Sequence, residues 1–549
     1  MQAPKTQHET QSRHETPYRP MRSLASAPER LWEAWRTPGR FTKNPDMVML
    51  PNGHLLAVCS ITDKHWPEGL IELVLIESAD RGHTWGNLRV LASSDRAQRE
   101  PRWVTPRISR LSDGRLAVLC DQDDYEHCHE YQPPGTYIWW STDNGATWSE
   151  PANTGIPGIE PDRVVELPGG RLAVGSHMAF AETQKLGQFV CLSADRGETW
   201  GAPVIIAKDA VHNYCEGAIL PLFDGSLVCV IRDNNHNNYP CQVAFSFDNG
   251  ESWTEPTEAP FSGDRPFIGQ LADGRLLVTY RNQGGNRGTY AWLGDITRET
   301  GYRCTARHLG AAVIALDREN GLHIAHPQPA TTQYNLLPPE DFRSEILFDA
   351  RVRVAGAREE NCAFVQIARV DVRLSIRPEG IYLGEPTYMN QLIDRFWPAD
   401  MTVCHTVGIH HQGGLLRVYL DGQDVLRYHV LRDVPLTPTF FGTAPDATGE
   451  SWWQQVRYHV RNPTEPEHVW LWDAHRGEYP DQYETDRVLE LHANTRALPD
   501  NGYSTWHQFA DGEIRVLDYT NEGNPLGQAH VVGCALWAED FETMGRRGE

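Results

Sequence analysis

One octapeptide recurs four times in this chain. It reads Ser78-Ala79-Asp80-Arg81-Gly82-His83-Thr84-Trp85, then Ser141-Thr142-Asp143-Asn144-Gly145-Ala146-Thr147-Trp148, then Ser193-Ala194-Asp195-Arg196-Gly197-Glu198-Thr199-Trp200, then Ser246-Phe247-Asp248-Asn249-Gly250-Glu251-Ser252-Trp253. The pattern Ser-x-Asp-x-Gly-x-Thr/Ser-Trp is a hairpin in chemical terms. The carboxylate accepts backbone N–H bonds across a turn, the glycine supplies a positive φ, and the tryptophan lays an apolar face beside it. Its aspartates lie 63, 52 and 53 residues apart. A unit repeated at this period buries its apolar faces only against copies of itself. These residues therefore build the fold and are not expected to touch a ligand.

A second marker runs out of phase with the first. Asn52-Gly53, Asp113-Gly114, Gly169-Gly170, Asp224-Gly225, Asp273-Gly274 and Asp511-Gly512 each stand between two apolar strands, a strong hairpin signal. Six units follow, and the first four carry two hairpins each. Two hairpins make a four-stranded sheet, the blade of a propeller. The last glycine interval, 274 to 512, exceeds one repeat by roughly 180 residues, the size of one further domain. The reading is all-β: a six-bladed β-propeller with an inserted jelly-roll-like β-sandwich. The expected division is 1–36 as an N-terminal segment that supplies an outer strand of the last blade, 37–308 as blades one to five, 309–463 as the insert, and 464–549 as a connection and the final blade. Phe348–Val354, Val370–Leu374, Gly380–Leu383 and Leu416–Leu420 carry the strand pattern of the insert.

The formal net charge is −23, against a nucleic-acid partner and against anionic membranes, since either needs a basic footprint. No apolar run is long enough to span a membrane. The polar N-terminus has no apolar leader, and the 11 cysteines follow no framework spacing, so reduced thiols and a cytoplasmic location are expected. No cofactor is expected and no metal. The run Asp121 to Glu130 has the residue types of a metal site without a zinc spacing, and reads as a solvated loop beside the pocket.

In a propeller the inner strands converge on one axial pocket. The segments just ahead of the turn glycines are Lys43-Asn44-Pro45-Asp46, Pro106-Arg107, Glu160-Pro161-Asp162-Arg163, Asn213-Tyr214-Cys215-Glu216, Asp264-Arg265-Pro266 and Gly502-Tyr503-Ser504-Thr505-Trp506. The ends of the second strands add Asp63-Lys64-His65, His177, Arg232 and Arg281.

The four octapeptides resemble the Asp-boxes, or BNR repeats, of the sialidase (neuraminidase) superfamily, over about two thirds of the chain. The segment Gly414 to Gln423 resembles the lectin-like sandwiches of laminin-G and concanavalin type. The sialidase resemblance implies a retaining exo-glycosidase acting on a terminal, acidic sugar of a glycan or oligosaccharide. It implies a catalytic set of Tyr503 as nucleophile, Glu216 as its base and Asp63 as acid. It implies substrate contacts from Arg232 and Arg265, with Arg281 in reserve; Lys43, Arg107, Arg163 and His177 are further candidates for substrate contact from their place at the axis. The chain departs from the family at one point. Where the family has Arg-Ile-Pro at the opening of blade one, this sequence has Lys43-Asn44-Pro45, and an ammonium cannot make the planar two-bond grip of a guanidinium. Two other readings share the fold: a polysaccharide lyase drawing a proton from a uronate with a tyrosine or with His177 or His65, and a glycan-binding propeller without catalysis.

Overall fold

The computed structural model describes residues 15–123, 135–235, 239–282, 287–356, 363–384, 395–434, 438–493, 500–522 and 528–545. The chain divides into two compact units, Pro20–Arg303 with Glu484–Glu549, and Met1–Arg19 with Cys304–Tyr483.

The first unit is a propeller of six sheets, antiparallel except where the short Arg22–Ser23 pairs in parallel with Val488–Ala493 at the edge of blade five. Blade one is typical, with Phe41–Met49, Leu55–Thr62, Leu70–Ser78 and Gly86–Asp95 in order from the inside outward. Each turn glycine joins the first strand of a blade to the second. Each octapeptide joins the third strand to the fourth. Blade five, begun by Asp264–Gln270, takes its outer strand from Val488–Ala493, far along the chain. Blade six, Thr505–Gln508, Ile514–Thr520 and His530–Leu536, takes its outer strand from Leu31–Trp35 near the N-terminus. The ring is thus closed by pairing the start of the chain with its end.

The core of this unit lies between the sheets. Leu56, Val58 and Leu73 of blade one pack with Ile108, Leu116 and Trp139 of blade two. Met47 and Leu55 pack with Trp35, Leu517 and Val531 of blade six. The octapeptides pin this arrangement. The Asp143 carboxylate accepts from Ser141 Oγ, Thr147 N and Thr147 Oγ1, while Ser141 Oγ accepts from Gly145 N. The same four bonds recur at Asp80, Asp195 and Asp248. Gly145 stands at φ 84° with Leu56 of the preceding blade against it, so the turn presses on the neighbouring sheet. Cys120 and Cys229 are buried thiols in second strands, without a disulfide.

Buried polar groups also tie the blades. Asp46 of blade one is fully buried. It accepts from Met47 N, from Ile108 N of blade two and from the Arg163 guanidinium ahead of blade three, which also donates to Thr505 Oγ1 of blade six.

The second unit is a β-sandwich of fifteen strands. The long strand Gly321–Leu336 pairs with Ala447–Arg461 along its first half and with Thr439–Gly442 along its second, so it runs through both layers. Leu322, Ile324, Phe348, Val352, Phe441, Trp453 and Tyr458 fill the space enclosed. Glu15–Pro17 pairs with Val313–Asp317 of this unit. Among the described residues no helix is long and apolar enough to cross a membrane.

Replacing Asp46 with Ala strands the Arg163 charge and two backbone donors. It is expected to lower the stability of the propeller by about 3–5 kcal/mol, read from urea unfolding, and an unchanged midpoint would remove Asp46 from the ties between blades.

Candidate active site

Five of the six inner strands carry a residue with positive φ in their first half or shortly ahead of their start: Asn44 (54°), Glu160 (48°), Glu216 (51°), Arg265 (47°) and Tyr503 (146°). Each lies nine residues ahead of its turn glycine, at 53, 169, 225, 274 and 512. In three blades a break in the strand register follows, between Lys43 and Asp46, Cys215 and Ala218, and Asp264 and Phe267. A bulge of this kind kinks the strand and re-aims a side chain, and bulges collect beside functional sites. The repeated unit thus holds the same strained position blade after blade.

Four of those five side chains form one cluster. The Tyr503 hydroxyl lies 3.0 Å from Glu216 Oε1 and 3.1 Å from Glu160 Oε1. Glu216 accepts from Arg232 Nη1 at 2.9 Å and from the backbone N–H of Arg265 at 3.0 Å. Burial opposes its charge, but Arg232 and then Arg265 outweigh it and hold the carboxyl well below the usual carboxylate range. Glu160 has the opposite balance: burial, then the adjacent Glu216 charge, push it up to about 7. The Arg265, Arg107 and Arg281 guanidinium carbons lie 5.1, 5.9 and 6.0 Å from the centre of the Tyr503 ring.

The cations differ in how far they are already spent. Asp264 takes Arg232 at 2.8 Å and Arg281 at 3.0 Å. Arg107 is buried with Nε and Nη1 unbonded, and burial with the nearby Arg265 charge brings it down to about 10. Lys43 donates to the carbonyl of His65, and burial lowers it to about 8 against the opposing pull of Asp500. His177 is buried behind Glu216, whose backbone N–H it accepts at Nδ1. Burial drops it to about 3, so it is a neutral ring carrying its hydrogen on Nε2.

The structure therefore brings Tyr503, Glu216, Arg232, Arg265, Arg281 and Arg107 together, with His177 behind them and Lys43 on blade one. Two expected residues stand elsewhere. Arg163 is committed to Asp46 and stacks over Phe267 at 4.3 Å. It lines a separate cavity of 410 Å³ with Met47, Ser109 and Trp506. Asp63 is exposed, and its carboxylate accepts from Glu68 N within its own loop. His65 of that loop reaches Asp500 Oδ2 at 2.6 Å. Residues 124–130 of the run considered for metal lie outside the described residues.

The residues missed from sequence are Glu160 and Asp264. Glu160 shares its offset from the turn glycine with Glu216, and that offset is the signal that finds it. A further support is Asp518, which accepts from Gly502 N at 2.9 Å and so fixes the backbone that carries Tyr503.

Residues 106–292 match the BNR repeat-like domain family. A sialidase of Paraclostridium sordellii is 28% identical over 214 residues, 33% of this chain and 52% of that protein. A sialidase of Clostridium perfringens is 25% identical over 226 residues, 34% of this chain and 57% of that protein. The chain spans about half the length of the curated relatives it matches. Among solved structures, Trypanosoma rangeli sialidase in complex with the inhibitor DANA is 13% identical. The match covers 76% of this chain and 91% of that one, with a TM-score of 0.38. Six blades and four Asp-boxes define the first unit as a BNR-repeat β-propeller. Over that stretch of the first unit the chain is similar to sialidases.

Gly502 stands at φ 84°, and a Cβ there would meet Arg281 Cβ at 2.3 Å. The substitution Gly502→Ala is expected to lower stability by about 1–3 kcal/mol through backbone strain alone, measured by urea unfolding. A variant as stable as wild type would show that this turn is not under the constraint described.

Proposed function

We propose that the protein is a retaining exo-glycoside hydrolase of sialidase type that acts on a terminal acidic sugar, with Tyr503 as nucleophile, Glu216 as base and Asp63 as acid. The observation that carries this reading is the 3.0 Å contact between the Tyr503 hydroxyl and a Glu216 carboxylate kept ionised by Arg232 and by the Arg265 backbone. A phenol is a poor nucleophile at neutral pH, and its pKa here lies well above the usual value because of burial and the neighbouring carboxyls. It therefore attacks only if its proton leaves in the same step, and Glu216 is placed to take it. A neutral nucleophile also spares an anionic sugar the repulsion a carboxylate would bring. Arg265 and Arg107, less consumed by protein carboxylates than Arg232 and Arg281, supply the positive field for the sugar's acid group, with Lys43 as a further charge below about pH 8.

The leaving-group acid must approach the anomeric carbon from the side opposite the nucleophile. Acid and nucleophile in carboxylate-based retaining enzymes lie about 5–5.5 Å apart. Glu160, at 3.1 Å from the phenol oxygen, leaves no room for a sugar between them. That role is assigned to Asp63, on the loop tied to the pocket through His65.

The test is a panel of 4-methylumbelliferyl and alkyl glycosides of N-acetylneuraminic, glucuronic and galacturonic acids. Tyr503→Phe is expected to cut kcat by more than about 10³-fold on every sugar that wild type turns over; full activity in the mutant sinks the nucleophile assignment. Asp63→Asn is expected to cost about 10²-fold on alkyl glycosides and much less on 4-methylumbelliferyl glycosides, whose leaving group needs no proton; equal losses on both would take the acid role from Asp63. Ultraviolet absorbance from an unsaturated product would instead mark a lyase.

A further inference from the structure

Tyr503 has one hydroxyl hydrogen and two carboxyl neighbours at hydrogen-bond distance. One contact uses the phenol hydrogen; the other requires a proton on the carboxyl. The surrounding charges decide which. Glu216 accepts from Arg232 Nη1 and from Arg265 N, and stays an anion. For Glu160, Arg265 Nη1 lies at 3.9 Å, beyond hydrogen-bond reach. The acid hydrogen of Glu160 has two acceptors in reach, the Tyr503 oxygen at 3.1 Å and the Glu216 anion; when it turns to the tyrosine, the Tyr503 hydroxyl is left to donate to Glu216.

We propose that Glu160 is a further catalytic residue: a carboxylic acid that donates a hydrogen bond to the Tyr503 oxygen and stabilises the phenolate when a glycosyl-tyrosine intermediate is hydrolysed. The proposal rests on the reading of Tyr503 as nucleophile. In the first step the phenol oxygen bonds to the anomeric carbon, the phenol proton passes to Glu216, and the bond to the aglycone oxygen breaks with its electron pair on that oxygen, which Asp63 protonates. In the second step water attacks the anomeric carbon and gives a proton to Asp63. The bond from carbon to the phenol oxygen breaks with its electron pair on the oxygen, and Glu216 returns the proton. Glu160 keeps its own proton throughout. Its hydrogen bond weakens the phenol oxygen as an attacking group and helps it as a leaving group, so its removal falls on the second step. Burial and the Glu216 charge, which raise its pKa to about 7, keep the acid form available at and below neutrality.

The test uses whichever 4-methylumbelliferyl glycoside of the panel wild type cleaves fastest, since a good leaving group makes the second step limiting. Glu160→Ala is expected to lower kcat by about 10²-fold and to lower KM with it, leaving kcat/KM within about threefold. Methylumbelliferone should appear as a burst equal to the enzyme concentration, with a one-sugar adduct on Tyr503 in the intact mass. Glu160→Gln keeps an N–H donor that does not titrate. It should retain kcat within about tenfold and lose the fall in kcat that wild type shows as pH rises through about 7. An independent measure is the infrared difference between wild type and Glu160→Gln: a protonated-carboxyl band below pH 6 that fades by pH 8. Equal losses in kcat and kcat/KM with no burst, an alkaline fall retained in Glu160→Gln, or an absent infrared band each overturn the proposal. Failure of the underlying reading looks different: either Tyr503→Phe turns over as wild type does, or wild type cleaves nothing in the panel.

Discussion

A four-stranded sheet with two apolar faces cannot stand alone in water, and everything in the propeller unit follows from that constraint. Each blade buries one face against the blade before it and the other against the blade after it, which is satisfied at every blade only in a closed ring. Closure is the vulnerable point, and the chain meets it with backbone pairing. Leu31–Trp35 completes the sheet of His530–Leu536, and its Trp35 enters the same core as Met47 and Leu55 of blade one. Three of the Asp-boxes then fix the spacing between blades, because Gly145, Gly197 and Gly250 face Leu56, Trp140 and Leu192 of the preceding sheet.

Closure also makes the site possible. A non-glycine residue with positive φ costs on the order of 1–3 kcal/mol unless its surroundings over-determine it. Here Glu160, Glu216, Arg265 and Tyr503 all sit in that conformation and on one another. Contacts from other blades complete the setting of these strained residues. Glu216 of blade four is held by Arg265 of blade five, and Tyr503 of blade six by Glu160 and Glu216. The site is thus a product of the ring, and the strain in each inner strand is offset by residues of the others.

The fold was legible because its signals are local. Asp-Gly turns and Asp-boxes encode hairpins within eight residues, and counting them counts blades. The inner-strand position was legible once that phase was known, which is how Glu216, Arg265 and Tyr503 emerge as a set. Glu160 stands at the same offset, yet its segment also carries Arg163, a cation of the kind an acidic ligand calls for, and only the structure turns Arg163 onto Asp46. The pairing of Arg232 and Arg281 by Asp264 was illegible for a different reason: whether a guanidinium is free depends on distances between strands that no spacing in one strand records. In the second unit, alternation revealed strands, but the pairing of Glu15–Pro17 with Val313–Asp317 bridges nearly three hundred residues and leaves no periodic trace.

The charge of the whole chain opposes an anionic ligand only at long range. A net charge of −23 repels an acidic sugar at long range, but mobile ions screen that field beyond about 8–10 Å at physiological ionic strength. On the proposed reading, the sugar at contact would meet Arg107, Arg265 and Lys43 in a buried setting where screening is weak and each pairing counts for more than in water. Selection for an anion on that reading would rest on contact with these cations, with no gain from steering at long range. The same burial raises Glu160 and lowers Lys43, so the groups proposed to recognise the sugar and those proposed to transform it are tuned by one desolvated environment.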